Sequence, residues 1–415
     1  MEIAVPYQQR KLQIRLPDER VMAVVEPNDL HAEKPAKGMI ADAVSDPIGS
    51  DSLKEFIEGA EDLLVIVNDQ TRPTPTRTVL ETVVPMLNSA QTSFIIATGV
   101  HRGPTEAEYR EIFGAAVYEK YRDRISAHDS RNDEMVYLGK SRAGTEMHVN
   151  RRGVEADRIL VIGSVEPHYF AGYTGGRKGF LPGIAAYSTI EQNHKHALHP
   201  EAKALSLEGN PVHEDMVDAL GVVQTPVFAI MTVLDKRHGI YAVTAGDINK
   251  SFYAAIEKAD EIFVTDIPRA ADVVVSVAKY PMDIDLYQAQ KAIDNGKLAL
   301  TEGGILILVA ACRDGVGEEA FVQLLTSADS PEKVLESIRR NYKLGYHKAG
   351  KMAEVFLRAK VQALTQLPDS LLESVFIQPV HDLQHAIEEA LKQKGPESQV
   401  LFLLDGCVTV PQPKR

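Results

Sequence analysis

The sequence predicts an α/β fold of two lobes, each a mostly parallel sheet flanked by helices. Three observations lead there. Short, continuous apolar runs recur at 63–67, 94–97 and 159–162, and again at 273–277, 305–309 and 400–404. Polar turns and helix-period segments separate them, the alternation that builds parallel sheets covered on their faces. A length of 415 residues, at about 150 per domain, accommodates two or three domains.

Taken in order, the stretches 3–6, 12–16 and 21–25 cluster β-formers between turn residues and are expected to form a β-ribbon leading into the fold. The first three buried runs then supply the sheet of an N-terminal α/β domain over 1–268. The second three supply that of a C-terminal α/β domain over 269–415, with the join near the polar stretch 265–271. No internal repeat or low-complexity linker marks it. Ser188 and Glu191, three apart, read as a capping box opening a short helix that carries His194. Asp285 begins a second helix, where Tyr287, Gln288 and Lys291 fall at i, i+1 and i+4 and share a surface.

Composition narrows the function classes. Hydrophobic residues at 44% and charged residues at 25% give the ordinary globular balance and exclude long disorder or a collagen-like chain. A formal charge of −13 argues against nucleic acid or an anionic membrane as partner. Cys312 and Cys407 cannot build a disulfide framework, a four-cysteine zinc site or an iron–sulfur cluster unaided, and a reducing cytoplasmic setting is expected. Neither the N-terminal residues nor any later segment has the apolar run of a signal peptide or a membrane span.

In open parallel sheets, ligands gather beyond the carboxyl ends of the strands. The segments that lie there are 68–74, 98–103, 166–168 and, in the second lobe, 280–283. Asp69 and Arg72 follow the first strand, where Pro73 and Pro75 stiffen the chain and a guanidinium can clamp a carboxylate or phosphate; a helix cap beside a solvated arginine reads equally well. His101 and His168 each follow a strand, and two imidazoles on opposite sides of a carbon suit proton transfer at either face. Each alone also reads as an ordinary loop histidine.

Glycines 172, 175, 176, 179 and 183 surround Lys178. Such a loop can cradle an anion with its amides, although it does not match the Walker pattern, and a flexible surface loop is the plain alternative. A lysine partly desolvated beside Arg177 can act as a nucleophile. Five of the thirteen histidines (168, 194, 196, 199 and 213) cluster nearby, yet none forms the His-x-x-x-His pair of a metalloprotease helix.

The ordered set Asn68, Asp69, Thr71, Arg72, Pro73, Thr74; Thr98, Gly99, His101, Arg102; His168; Ala171, Gly172, Gly175, Gly176, Lys178, Pro182, Gly183; His194; and Tyr287, Gln288, Lys291 resembles the nickel-dependent lactate racemase family. The resemblance implies a two-lobed α/β enzyme with its site in the interlobe cleft, racemising or epimerising lactate or a related 2-hydroxy acid. It implies a nickel-pincer nucleotide (pyridinium-3-thioamide-5-thiocarboxylic acid mononucleotide) covalent on Lys178, with His194 as the nickel ligand and separate cofactor-assembly proteins as partners. His101 and His168 become the two acid/bases around a hydride carrier. Arg72, Gln288, Lys291 and Tyr287 would hold the substrate, and Asp69, Gly175 and Gly176 the cofactor. Arg177 departs from the pattern, placing a bulky cation where a small residue is expected and bearing on substrate choice.

Two other classes use the same residues. A lysine Schiff-base enzyme of the pyridoxal phosphate type would employ Lys178 and the glycine cradle but leave the histidines without work. A non-catalytic carboxylate- or nucleotide-binding protein would need neither histidine.

Overall fold

A computed structural model describes residues 1–88 and 91–414. The chain forms two compact units, one of 29–262 and one that joins 1–28 to 263–415. This division differs from the expected 1–268 and 269–415. The break falls earlier, and the first 28 residues belong with the C-terminal part. The reason is strand pairing: β1 (Val21–Val25) is not a third strand of an N-terminal ribbon but adds in parallel to a strand near the C-terminus. The remaining two runs do pair, Glu2–Tyr7 antiparallel to Arg10–Arg15, and Ile3, Val5 and Ile14 pack with Val273, Val275 and Phe402 in that unit's core.

The sheet of the 29–262 unit contains β2 (Leu63–Asn68), β3 (Thr92–Ala97), β4 (Ile125–Ala127), β5 (Arg158–Ser164), β6 (Val227–Leu234) and β7 (Ile240–Asp247), in the order β7-β6-β5-β2-β3-β4. All pairs are parallel except β6 with β7. Leu63, Leu64, Val65, Ile66 and Val67 are all buried, as expected of a central strand covered on both faces. Each such side chain contributes about 1.5–3 kcal/mol relative to exposure. From β2 the chain builds outward through β3 and β4, then returns to the other side of β2 as β5. The topological switch therefore lies between β2 and β5, where loops leaving adjacent strands diverge and open a crevice.

The second sheet adds β8 (Ala271–Val277), β9 (Leu300–Val309), β10 (Lys360–Leu364), β11 (Gln378–Pro379) and β12 (Val400–Leu403) to β1, in the order β11-β10-β9-β8-β12-β1, all parallel. Its switch lies between β8 and β12. Among the described residues no helix is long and apolar enough to cross a membrane.

Candidate active site

The loops leaving β2, β3 and β5 enclose a small cavity lined by Asn68, Asp69, Arg72, His101, Lys178 and Gly175, among others. Its rim is stitched across the switch point: the Thr74 hydroxyl donates to Asn68 Oδ1 at 2.8 Å and lies 2.9 Å from Ser164 Oγ. Asp69, 4% exposed, does not cap the following helix α1 (Thr76–Val83), whose N-cap is Pro75. One carboxylate oxygen instead accepts from the Thr71 amide and hydroxyl, at 3.2 and 2.7 Å, and the other lies 2.7 Å from His101 Nδ1. Burial pushes the Asp69 carboxyl up, but the His101 hydrogen bond and charge, Thr71 and Arg72 outweigh it and hold the group below its ordinary value. Beside an ionised Asp69, a neutral His101 ring carries its hydrogen on Nδ1 and has its lone pair at Nε2. Arg72 faces Glu166 at 3.9 Å, too loose to use the fork of its guanidinium.

After β5 the chain makes a two-residue hairpin, Pro167–His168 against Gly172–Tyr173, and then a 3₁₀ turn, Gly176–Gly179, that ends the cradle around Lys178. Glycine is required at 172 and 175, where φ is +77° and +84° and a Cβ would meet the Ser206 carbonyl oxygen at 2.3 Å and Val165 at 2.7 Å. The Ala171 amide donates to His168 Nδ1 at 3.3 Å. That nitrogen is therefore the acceptor, and a neutral His168 ring bears its hydrogen on Nε2. The two histidines thus present opposite tautomers, a contrast invisible in sequence.

Phe170 is the residue sequence reasoning missed. Buried, it sets its ring centroid 4.6 Å from that of His168 and 5.1 Å from that of His194, with Lys178 Nζ at 5.7 Å. The only available signal was its place between His168 and the glycines. His194 rides on α2 (Tyr187–Lys195), but the expected Ser188 capping box does not form. Ala186 is the N-cap, and the Ala186 and Tyr187 amides are satisfied instead by the His148 and Ser130 carbonyls. Asn193 anchors the helix by donating to Asp215 Oδ2 at 2.8 Å. Burial, then the nearby Lys178 and His101 charges, depress the His194 imidazole to about 3 against an opposing hydrogen bond to the Ile190 backbone, so it is neutral at pH 7.

The other clustered histidines do not join this group. His213 lies on α3 (Pro211–Gly221), buried beside Phe252, and the His199 ring accepts from the Glu201 amide. Arg177 corrects an expectation as well. Only 1% exposed, its guanidinium lies 4.3 Å over the Phe252 ring and outside the cavity lining, because the 3₁₀ turn directs consecutive side chains Arg177 and Lys178 apart.

Two family models match in tandem, the lactate racemase N-terminal domain over residues 7–205 and the lactate racemase C-terminal domain over 265–410. The chain is 31% identical to the lactate racemase of Thermoanaerobacterium thermosaccharolyticum, covering 99% of both chains. It is 30% identical to that of Lactiplantibacillus plantarum, covering 97% of this chain and 98% of the other. The chain belongs to the lactate racemase family. Its structure superposes on the lactate racemase apoprotein from T. thermosaccharolyticum with a TM-score of 0.93, covering 99% of this chain and all of that one. A protein from Thermotoga maritima, 16% identical with a TM-score of 0.70, shares the fold.

The lactate racemase N-terminal match contains Asp69, Arg72, His101, His168, Lys178 and His194. Tyr287, Gln288 and Lys291 fall within the C-terminal match, on α4 (Leu286–Gly296) beyond the β8 switch point, with Asp285 as N-cap accepting from the Gln288 amide at 2.7 Å. Lys291 Nζ reaches Met282 Sδ at 3.4 Å. Lys348, 5% exposed on α5 (Tyr346–Phe356), donates to the Tyr287 carbonyl at 2.8 Å and sits over its ring; no sequence spacing announced that contact. Among the described residues, no three His, Cys, Asp or Glu side chains group to hold a metal ion. A single neutral imidazole near a lysine does suit a metal whose other ligands arrive on an organic cofactor.

Proposed function

We propose that this chain racemises or epimerises a 2-hydroxy acid, lactate or a close relative, using a nickel-pincer nucleotide attached to Lys178. The observation that carries the reading is the ionised Asp69 held 2.7 Å from His101 in the same cavity as Lys178. When bound, the nickel-pincer nucleotide would supply hydride-acceptor chemistry at the substrate's C2. His194 is its protein ligand, and Lys178, Gly175 and Gly176 are its cradle.

The protein's own work is proton transfer and orientation. His101, its Nδ1 hydrogen fixed by Asp69, accepts the hydroxyl proton of one enantiomer at Nε2, and Asp69 stabilises the imidazolium that results. As an imidazolium, having given up the Ala171 contact at Nδ1, His168 returns its Nε2 proton to the 2-oxo oxygen for the antipode and is left neutral; in the reverse direction it accepts the hydroxyl proton at Nε2 and the His101 imidazolium returns one. Arg72 binds the substrate carboxylate, exchanging its long contact with Glu166 for a bidentate one. Family resemblance assigns Gln288, Lys291 and Tyr287 to substrate binding. On this reading the chain depends on cofactor-assembly proteins, acts in the cytoplasm and engages neither nucleic acid nor membrane.

The test is expression with and without those assembly proteins. Co-expressed protein should carry a mass adduct on the Lys178 peptide and about one nickel per chain, and should convert a single enantiomer of lactate or another 2-hydroxy acid to a mixture. A loaded chain inert toward the whole panel, or an adduct retained in Lys178→Ala, contradicts it.

A further inference from the structure

Arg177 is the largest fully buried side chain of the protein, and among the described residues it has no carboxylate within ion-pair distance. Burial depresses it to about 9, and its Nε has no hydrogen-bond partner. An apolar side chain over Phe252 would fill the same space at less cost, since an unpaired buried charge is the expensive choice. What the guanidinium alone provides is its fork. Nη2 donates to the Ala171 carbonyl at 2.8 Å and Nη1 to the Gly175 carbonyl at 3.3 Å.

Each of those residues makes a second contact through its backbone. The Ala171 amide is the donor that sets the His168 tautomer, and the Gly175 carbonyl also accepts the Lys178 amide at 3.1 Å. Through one planar group, the backbone that orients the histidine is tied to the backbone that orients the lysine. Neighbouring groups do not supply the tie: His213 is neutral, depressed to about 3 by burial and Arg177, and Tyr253 Oη faces the His213 ring at 3.4 Å.

We propose that Arg177 is a positioning residue that couples His168 to Lys178 by bridging the Ala171 and Gly175 carbonyls. The assignment of roles to His168 and Lys178 rests on the proposed function; the bridge itself does not. It reaches neither substrate nor cofactor and acts through the loop.

The test uses the full chain without cofactor, as wild type, Arg177→Met and Arg177→Lys. Methionine fills the space over Phe252 without a donor, and lysine keeps the charge without the fork. Both variants should fold, while amide hydrogen exchange at Ala171 and Lys178 rises by about tenfold or more and the strand amides of β2 and β5 stay as they were. In protein with ¹⁵N-labelled histidine, the His168 signals, assigned by their loss in His168→Gln, should move from the Nε2–H tautomer toward a mixture. Exchange within about twofold of wild type in both variants, or an unchanged His168 signal, overturns the proposal, as does full restoration by lysine. If one variant fails to fold, the other decides. Failure of the cofactor reading is separate: it shows as no Lys178 adduct in co-expressed wild type, and the exchange and tautomer measurements judge the bridge regardless.

Discussion

His101 Nδ1 lies 2.7 Å from Asp69 Oδ2, and the same carboxylate takes two further hydrogen bonds from Thr71. The aspartate fixes which nitrogen of a neutral imidazole bears the hydrogen, and on the proposed function the other nitrogen meets the substrate. Asp69→Asn keeps the shape but lets its amide donate to Nδ1, moving the ring hydrogen to Nε2. It should lower kcat by about 10²–10⁴-fold with little change in KM, read from initial rates of the loaded enzyme. The linkage sign is that of a depressed carboxylate: its contribution to stability is present above about pH 3.9 and disappears as pH falls through the lower folded value.

Phe170 touches His168, His194 and Lys178 together. Phe170→Leu retains most of the volume, so stability should fall by less than about 1.5 kcal/mol, while loss of ring contacts misaligns all three groups and lowers kcat by about tenfold or more. Denaturant titration and rate measurement on the same preparation separate the two effects. A large stability loss with intact kcat would show that Phe170 is only core.

Arg72 should tolerate lysine poorly. Arg72→Lys keeps the charge and loses the fork, so KM for a 2-hydroxy carboxylate should rise by about tenfold with kcat nearly preserved. An unchanged KM removes Arg72 from carboxylate binding.

His213 sets an acid limit on stability. Its folded value near 3 lies far below the 6.5 of an ordinary imidazole. The unfolded chain takes up a proton at this position and the folded chain does not, so stability is full above about pH 6.5 and falls toward pH 3, by about 1.4 kcal/mol per pH unit from this residue. Urea titrations between pH 7.5 and 4.5 should show a shallower slope in His213→Asn than in wild type; parallel slopes refute the assignment.

Strands were legible where they are continuous apolar runs, as at Leu63–Asn68 and Thr92–Ala97, because burial on both faces leaves no room for polar residues. The pairing of Val21–Val25 with Val400–Leu403 was not, since a parallel edge contact across most of the chain leaves no local pattern. The site divides in the same way. Asp69, His101, His168 and Lys178 drew notice by type and loop position and His194, on a helix, only through the family resemblance, whereas the Asp69–His101 pair joins residues 32 apart and the Arg177 bridge depends on a turn that sends neighbouring side chains apart. The Ser188 box failed because amides at that helix start found backbone acceptors in other segments.

The decisive measurement follows the hydrogen on C2. A 2-hydroxy acid deuterated at that carbon is racemised in ordinary water by the loaded enzyme, and the antipode is isolated and weighed. Hydride transfer through an enclosed acceptor, with His101 and His168 moving only the hydroxyl proton, predicts that the product retains its deuterium. Loss of the label to solvent would mean that a base removes the C2 hydrogen as a proton, and would contradict the mechanism.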